Sequence, residues 1–201
     1  EDFVSALRTL RRELILRVGL AHVAGEKNLF EAEARLADIA DAQVAAALRF
    51  AERDAMQRWG LPAPAPVGEP PSAMVVMALG KLGGRELGFT SDLDLVFFFG
   101  SEGETDGGPL GGAITHTEYF ARIAQRTLRL LSQPDVAGAG YQIDTRLRPS
   151  GPRGPLVQSL RAFERHHEAH GADWERQTLI RARIVSGDAT LAALVLATAS
   201  R

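Results

Sequence analysis

Residues 80–99 read GKLGGRELGFTSDLDLVFFF, a glycine-rich segment followed by an apolar run that carries two aspartates. The run over residues 93–99 is rich in Val and Phe, which predicts a buried β-strand. Residues two apart in a strand point to the same face. We therefore expect Asp92 and Asp94 to project together at the start of this strand.

Two carboxylates on one face of a strand lie about 6–7 Å apart and repel each other unless a cation lies between them. Mg²⁺ suits such a pair because it combines a few carboxylates with phosphate oxygens of a substrate. The alternative is an edge strand that carries charges for solubility. The three phenylalanines that end the run favour the cation site, since charges are seldom fully buried without partners.

A third carboxylate is predicted on a neighbouring strand. A short apolar run at residues 74–79 predicts one strand, and alternation over residues 141–147 predicts another. In the latter, Gln142, Asp144 and Arg146 would share one face. A carboxylate there would complete a two-metal site of the phosphoryl-transfer type.

The glycines between the first two strands are candidates for phosphate binding. Gly80, Gly83 and Gly84 have no Cβ, so backbone N–H groups could approach a phosphate closely, and Ser91 offers a hydroxyl. Leu82 follows the lysine where a Walker loop has Ser or Thr, so this is not that motif. A simple turn is the alternative.

Charge is distributed unevenly along the chain. Residues 73–144 carry a net charge of −4 and residues 145–201 a net charge of +4, within a total of −2. Carboxylates for cations followed by arginines for an anion fit a metal–phosphate site. A solvated helix face is the alternative for the arginines of the helix predicted over residues 174–185. The candidate phosphate ligands are Arg146, Arg148, Arg176, Arg181 and Arg183.

The chain divides into four predicted parts. Apolar residues at three- and four-residue spacing predict a helical segment over residues 1–60. Five prolines make residues 61–72 a linker that cannot be helical. Residues 73–188 form the predicted α/β catalytic core, with helices near residues 120–131 and 160–170. Residues 189–201 begin a C-terminal helical region.

Composition excludes several classes of protein. The 201 residues are 45% hydrophobic and 24% charged, as in globular proteins, and contain no cysteine, which excludes disulfides and thiolate zinc sites. No apolar run reaches the ~18 residues of a membrane span, and no secretory signal is visible, so we expect a cytoplasmic protein. Residues 73–144 are acidic and lack interleaved aromatic residues, so they do not form a binding surface for a nucleic-acid strand. Because the chain starts at Glu1, we expect it to be part of a longer one.

Four blocks in this order resemble the polymerase-beta-like nucleotidyltransferase superfamily, and within it the glutamine synthetase adenylyltransferase/adenylyl-removing family. The resemblance covers about residues 1–188. It implies an α+β fold: a small mixed sheet with helices, preceded by an N-terminal helical segment. The blocks are GKLGGRELG at 80–88, SDLDL at 91–95, DTRLRPSG at 144–151, and WER at 174–176 with RAR at 181–183.

The resemblance also implies an activity and partners. The family carries two such units in one polypeptide: one transfers AMP from ATP to a tyrosine of glutamine synthetase, and the other removes AMP by phosphorolysis and gives ADP. A PII-type nitrogen signalling protein would act through the parent chain. Residues 87–89, Ser150 and residues 177–181 resemble the adenylylating unit, whereas Asp173 is closer to the removing unit. We expect the adenylylating unit; a removing unit and a non-catalytic docking module are the alternatives.

The mechanism that the resemblance implies is an in-line displacement at the α-phosphorus of ATP. Asp92 and Asp94 would hold two Mg²⁺ ions, and Asp144 would complete one ion site and help to deprotonate the tyrosine. The implied nucleotide ligands are Gly83, Gly84, Ser91, Arg146, Arg148, Arg181 and Arg183.

Overall fold

The computed structural model describes residues 2–134, 136, 138–148, 151, 154–170 and 173–200. These residues form seven helices and five strands. The helices are α1 (Asp2–Val23), α2 (Leu29–Trp59), α3 (Gly80–Gly83), α4 (His116–Ser132), α5 (Leu160–His170), α6 (Asp173–Leu179) and α7 (Ala189–Ala199); the strands are β1 (Met74–Ala78), β2 (Leu93–Phe99), β3 (Ile143–Asp144), β4 (Val157–Ser159) and β5 (Arg183–Gly187).

The first two helices form where the apolar spacing predicts them, and a capping box separates them. Asn28 accepts a hydrogen bond from the Glu31 backbone N–H at 3.0 Å, and its own N–H donates to the Glu31 carboxylate at 2.8 Å. This reciprocal pair satisfies two N–H groups at the start of α2. No helix forms over residues 61–72, as the prolines predict.

Strand β2 lies at the centre of a mixed sheet. One edge of β2 pairs antiparallel with β1, which in turn pairs antiparallel with β5. The other edge pairs in parallel with β3 near the start of β2 and with β4 near its end. The predicted α+β class, a small mixed sheet with helices behind an N-terminal helical segment, is confirmed.

Both faces of the sheet are covered. Alternate residues of β2 such as Leu95 and Phe97 join one apolar cluster with α2 and α4, whereas Val96 and Phe98 join a second cluster with α5 and α7. The N-terminal helices therefore share a core with the sheet. The division into four parts, with boundaries at residues 60, 72 and 188, stays a prediction.

Two strands differ from the prediction. The strand predicted over residues 141–147 is reduced to β3, because the chain turns after Asp144 and Arg146 folds back onto that carboxylate. Gln142 and Arg146 are therefore outside the strand. The sequence analysis also missed β4, whose three residues are too few to show a period.

The helix predicted over residues 174–185 is wrong in its second half. Helix α6 ends at Leu179, and residues 183–187 form β5 against β1. The β-branched residues Ile184 and Val185 favour a strand when a neighbouring strand offers hydrogen bonds. As a result Arg176, Arg181 and Arg183 do not share a helix face.

No helix in the described residues is both long enough and apolar enough to cross a membrane.

Candidate nucleotidyl-transfer site

Two carboxylates face each other across neighbouring parallel strands. Asp94 is the second residue of β2 and the residue of that strand that is not fully buried. Its Cα partner on β3 is Asp144. Asp92 lies just before β2 rather than in it, and is exposed. The parallel pairing thus brings the three predicted carboxylates to the same end of the sheet.

The pKa values of Asp94 and Asp144 are shifted in opposite directions. Partial burial, and then the negative charges of Asp144 and Asp92, raise the pKa of Asp94 above its ordinary value. Hydrogen bonds from Arg146 lower the pKa of Asp144, against a smaller effect of burial. Asp144 is therefore held by a close guanidinium, whereas the negative charge of Asp94 is disfavoured by its surroundings.

Helix α3 begins directly against Asp94. A Cβ on Gly80 would lie 2.2 Å from Asp94 Oδ2, and the φ angle of Gly80 is +54°. Both facts require glycine at this position. Lys81, the next residue, lowers the pKa of Asp94 through its positive charge. The glycine-rich segment and the carboxylates therefore form one site.

The backbone N–H groups of Gly83 and Gly84 are used within a helical turn. These groups donate to the carbonyls of Leu79 and Gly80, at 2.9 and 3.0 Å. A Cβ on Gly83 would lie 2.0 Å from the Arg181 carbonyl oxygen. The segment is a helical turn rather than an open loop, so both N–H groups already have acceptors; phosphate binding at Gly83 and Gly84 stays a prediction.

Ser91 lies beside the carboxylates in a tight turn. Its Oγ accepts a hydrogen bond at 3.0 Å from the Gly88 N–H, and its own N–H donates to the Gly88 carbonyl. The hydroxyl hydrogen is not used in that bond, so Ser91 can still donate to an anion.

The two arginines after β3 have different tasks. Arg146 donates hydrogen bonds to the Asp144 carboxylate from both its backbone N–H and its guanidinium, at N···O distances of 2.6–3.0 Å. Arg148 instead donates to the carbonyl oxygens of Thr145 and Gly154, which closes the loop after β3. Pro149 and Ser150, the next residues of the motif, lie outside the described residues.

Arg181 and Arg183 both contact α3. Arg181 pairs with Glu86 at the surface, close to Gly84. Arg183 binds Asp41 of α2 at 2.6 Å and donates to the Leu82 carbonyl at 2.9 Å. Arg181 can reach a ligand at α3, whereas Arg183 fixes α3 to the N-terminal helices.

By residue type the donor set suits a hard divalent cation: three carboxylates, one of them with a pKa raised by burial and then by its like-charged neighbours. In the part of the chain that the structure describes, no group of three or more His, Asp or Glu side chains is placed so that it could hold a metal ion. Arg146 holds the carboxylate of Asp144, so a cation would have to compete with that guanidinium for it.

Sequence reasoning missed the contributions of Asp41 and Lys81 to this site. Asp41 is 142 residues from Arg183, and no local pattern links the two. Lys81 is one of only two lysines in the chain, and its position beside Gly80 was the available signal.

The chain matches known proteins over nearly its whole length. The sequence pattern of the glutamate-ammonia ligase adenylyltransferase family matches residues 1–198. The chain is 42% identical over 197 residues to a bifunctional glutamine synthetase adenylyltransferase/adenylyl-removing enzyme of Acinetobacter baylyi, covering 95% of the chain and 21% of that protein.

A protein of the same name from Thioalkalivibrio sulfidiphilus is 40% identical over 182 residues, which covers 90% of the chain and 18% of that protein. The chain thus spans about a fifth of the length of the curated relatives it matches. With a family match over nearly its whole length, the chain belongs to the glutamate-ammonia ligase adenylyltransferase family.

Proposed function

We propose that this unit transfers AMP from ATP to a tyrosine hydroxyl of glutamine synthetase. The observation that carries the proposal is the pairing of Asp94 with Asp144 on adjacent strands, with Asp92 and the start of α3 beside them. Three carboxylates next to a cluster of basic side chains suit phosphoryl-type chemistry, in which positioning and charge neutralisation supply most of the catalysis.

Asp92, Asp94 and Asp144 would hold Mg²⁺, with two ions expected. Bound there, Mg²⁺ would neutralise charge on the phosphate oxygens of ATP. The like-charge repulsion at Asp94 supports this assignment, because a cation relieves it.

In the proposed reaction the tyrosine oxygen attacks the α-phosphorus of ATP. A new P–O bond forms to tyrosine, the bond to the bridging oxygen breaks, and pyrophosphate leaves. Asp144 would accept the tyrosine proton. Arg146 keeps the pKa of Asp144 low, so Asp144 becomes an effective base once the Arg146 guanidinium moves from it to the phosphate.

The nucleotide side of the site would be formed by α3 and its neighbours. Lys81 and Arg181 are exposed next to α3, so they can approach the β- and γ-phosphates. Gly83 and Gly84 would allow the close packing that sets the position of α3, and Ser91 would donate its hydroxyl hydrogen. Arg148 would act through the loop it closes.

Phosphorolysis of AMP-tyrosine is the second candidate. The relatives carry both activities in their names, and the chain covers only a fifth of them. The same carboxylates could serve both reactions, with inorganic phosphate replacing tyrosine as the nucleophile. In either case the proposal implies a cytoplasmic enzyme, and a PII-type protein as a regulator of the parent chain.

The test uses the full-length parent protein with Asp92→Asn and Asp94→Asn combined. One assay follows labelled AMP from ATP onto glutamine synthetase, and the other follows ADP formed from phosphate and AMP-modified glutamine synthetase. We expect AMP transfer to fall at least ~100-fold while phosphorolysis continues. Glu13→Gln, which removes an exposed carboxylate on α1, is the matched control and should leave both activities unchanged.

The opposite pattern, with phosphorolysis lost and transfer retained, would assign the chain to the removing reaction. Retention of both activities would favour a non-catalytic docking module and contradict the proposal.

A further inference from the structure

A second positively charged site lies between α2 and α4. A groove of about 260 Å³ separates the C-terminal half of α2 from α4. We propose that this groove binds the phosphate group of a small anionic ligand, at a place distinct from the carboxylate end of the sheet. The side chains that carry the proposal are Asp54, Arg58, Trp59, Arg122, Arg126 and Arg129.

The groove has more guanidinium groups than carboxylates to neutralise them. Arg58 and Arg126 share Asp54, at N···O distances of 3.8 and 3.6 Å. These distances are too long for hydrogen bonds. Arg129 has no acidic group within 4.0 Å among the described residues. Arg122 pairs with Glu118 at the exposed end of α4. The groove therefore keeps a positive charge.

Arg126 has a donor that is not satisfied. Its Nε is buried, lies 3.6 Å from Asp54 Oδ2, and has no hydrogen-bond partner within the described residues. A buried donor without an acceptor costs free energy. An anion in the groove would supply the missing acceptor.

Aromatic rings hold two of the guanidinium groups without using their N–H donors. Arg122 lies over the Trp59 ring with its Cζ 4.6 Å from the ring centroid, and Arg126 lies 5.7 Å from the Phe50 centroid. Stacking on a ring face restrains an arginine while its in-plane donors stay available. Arg122 Nε and Nη2 already donate to Glu118 Oε1, so in this pair it is Arg126 whose Nε is without an acceptor.

The arrangement of donors favours phosphate over carboxylate. Arg122, Arg126 and Arg129 follow one face of α4 at spacings of four and three residues, and Arg58 approaches from α2. A planar carboxylate suits the paired N–H donors of a single guanidinium. The oxygens of a phosphate can accept hydrogen bonds from several guanidinium groups in different directions.

The groove is separate from the proposed catalytic site. Asp41 of α2 lies beside α3 through its bond to Arg183. Asp54 is 13 residues further along the same helix, which is a distance of about 20 Å. A phosphate in the groove therefore does not occupy the nucleotide position next to Asp94.

The test measures equilibrium binding of inorganic phosphate and pyrophosphate to the full-length parent protein. Arg126→Gln combined with Arg129→Gln should weaken one class of phosphate site at least about tenfold, while Asp94→Asn leaves that class intact. AMP transfer at saturating ATP should stay unchanged in the double variant. Arg12→Gln with Arg17→Gln removes the same charge from α1 and is the control, which should bind phosphate normally.

Three results would overturn the proposal: equal phosphate binding by the groove variant and the wild type, equal loss in the α1 control, or succinate binding as tightly as phosphate. Succinate tests whether the groove prefers a carboxylate. Comparing the affinities for pyrophosphate and phosphate separates a phosphorylated ligand from the free ion. If circular dichroism shows that the variant with Arg126→Gln and Arg129→Gln does not fold, Arg126→Lys with Arg129→Lys replaces it. The lysines keep the charge but lack the paired donors of a guanidinium, so this variant must still weaken phosphate binding.

Discussion

Asp94 and Asp144 face each other across two strands but are held in different ways. Asp94 belongs to the seven-residue strand β2, between fully buried neighbours, with α3 packed directly against its carboxylate. Asp144 ends a two-residue strand, and its support is Arg146, whose side chain is 73% exposed. The core of the protein fixes one side of the site, and a local turn fixes the other.

The two carboxylates also differ in the direction in which their pKa values are shifted. The pKa of Asp94 is raised by burial and by neighbouring carboxylates, whereas that of Asp144 is lowered by Arg146. The fold therefore holds one carboxylate in a position that disfavours its negative charge. The other is already paired with Arg146, and would have to exchange that partner for any cation that bound. The four substitutions below test this contrast, in order of expected effect on stability.

Of the four substitutions, Gly83→Ala should destabilise the protein most, on the side of the site that contains Asp94 and α3. The new Cβ would lie 2.0 Å from the Arg181 carbonyl and 2.8 Å from the Ala78 carbonyl, both backbone atoms that cannot move aside easily. We expect the free energy of unfolding to fall by about 2–3 kcal/mol, measured by urea denaturation. Gly112→Ala is the matched control, because its Cβ would meet no atom within 4 Å; equal losses in the two variants would refute the packing argument.

Asp41→Asn should loosen α3 from the N-terminal helices. Arg183 loses its carboxylate partner in a partly buried pair, whose side chains are 27% and 21% exposed. We expect a loss of about 1–2 kcal/mol in the free energy of unfolding and a higher KM for ATP. Asp38 also lies on α2, and Asp38→Asn, which breaks its exposed pair with Arg85, should change both by much less.

Asp94→Asn should stabilise the metal-free protein slightly. A raised pKa means that the favourable contribution of the carboxyl group is present below its unfolded value of 3.8 and is lost as pH rises through the folded value. At pH 7 the charged form is therefore unfavourable, and the amide removes it. We expect a higher Tm at pH 7 and no gain near pH 3. A lower Tm at pH 7 would contradict the repulsion at Asp94.

Arg146→Gln should have the smallest effect on stability and a clear effect on Asp144. A lowered pKa gives a contribution that is present above pH 3.8 and is lost as pH falls through the folded value. Since Arg146 is exposed, we expect Tm to change little. The pKa of Asp144, followed by carboxyl NMR, should rise towards its ordinary value; an unchanged pKa would show that Arg146 does not control it.

The same contrast explains how far the sequence predicted the structure. Helices α1 and α2, strands β1 and β2, and the aspartates at the start of β2 follow from local patterns of apolar and charged residues. These elements depend on periodicity, which a sequence shows directly.

The errors occur where distant contacts decide the structure. Residues 183–187 became a strand because β1 offers them a partner, and β3 is short because Arg146 turns back to Asp144. Gly83 is required by the Arg181 carbonyl, about a hundred residues away. A single sequence contains no local signal for such pairs.

The most direct test of the central claim, that Asp94 and Asp144 act together on one cation, is the binding of Mn²⁺ followed by electron paramagnetic resonance. Mn²⁺ replaces Mg²⁺ at carboxylate sites. The account predicts that the protein binds Mn²⁺ and that Asp94→Asn and Asp144→Asn each weaken the binding at least about tenfold, while Glu13→Gln does not. Wild-type affinity in both aspartate variants would contradict it.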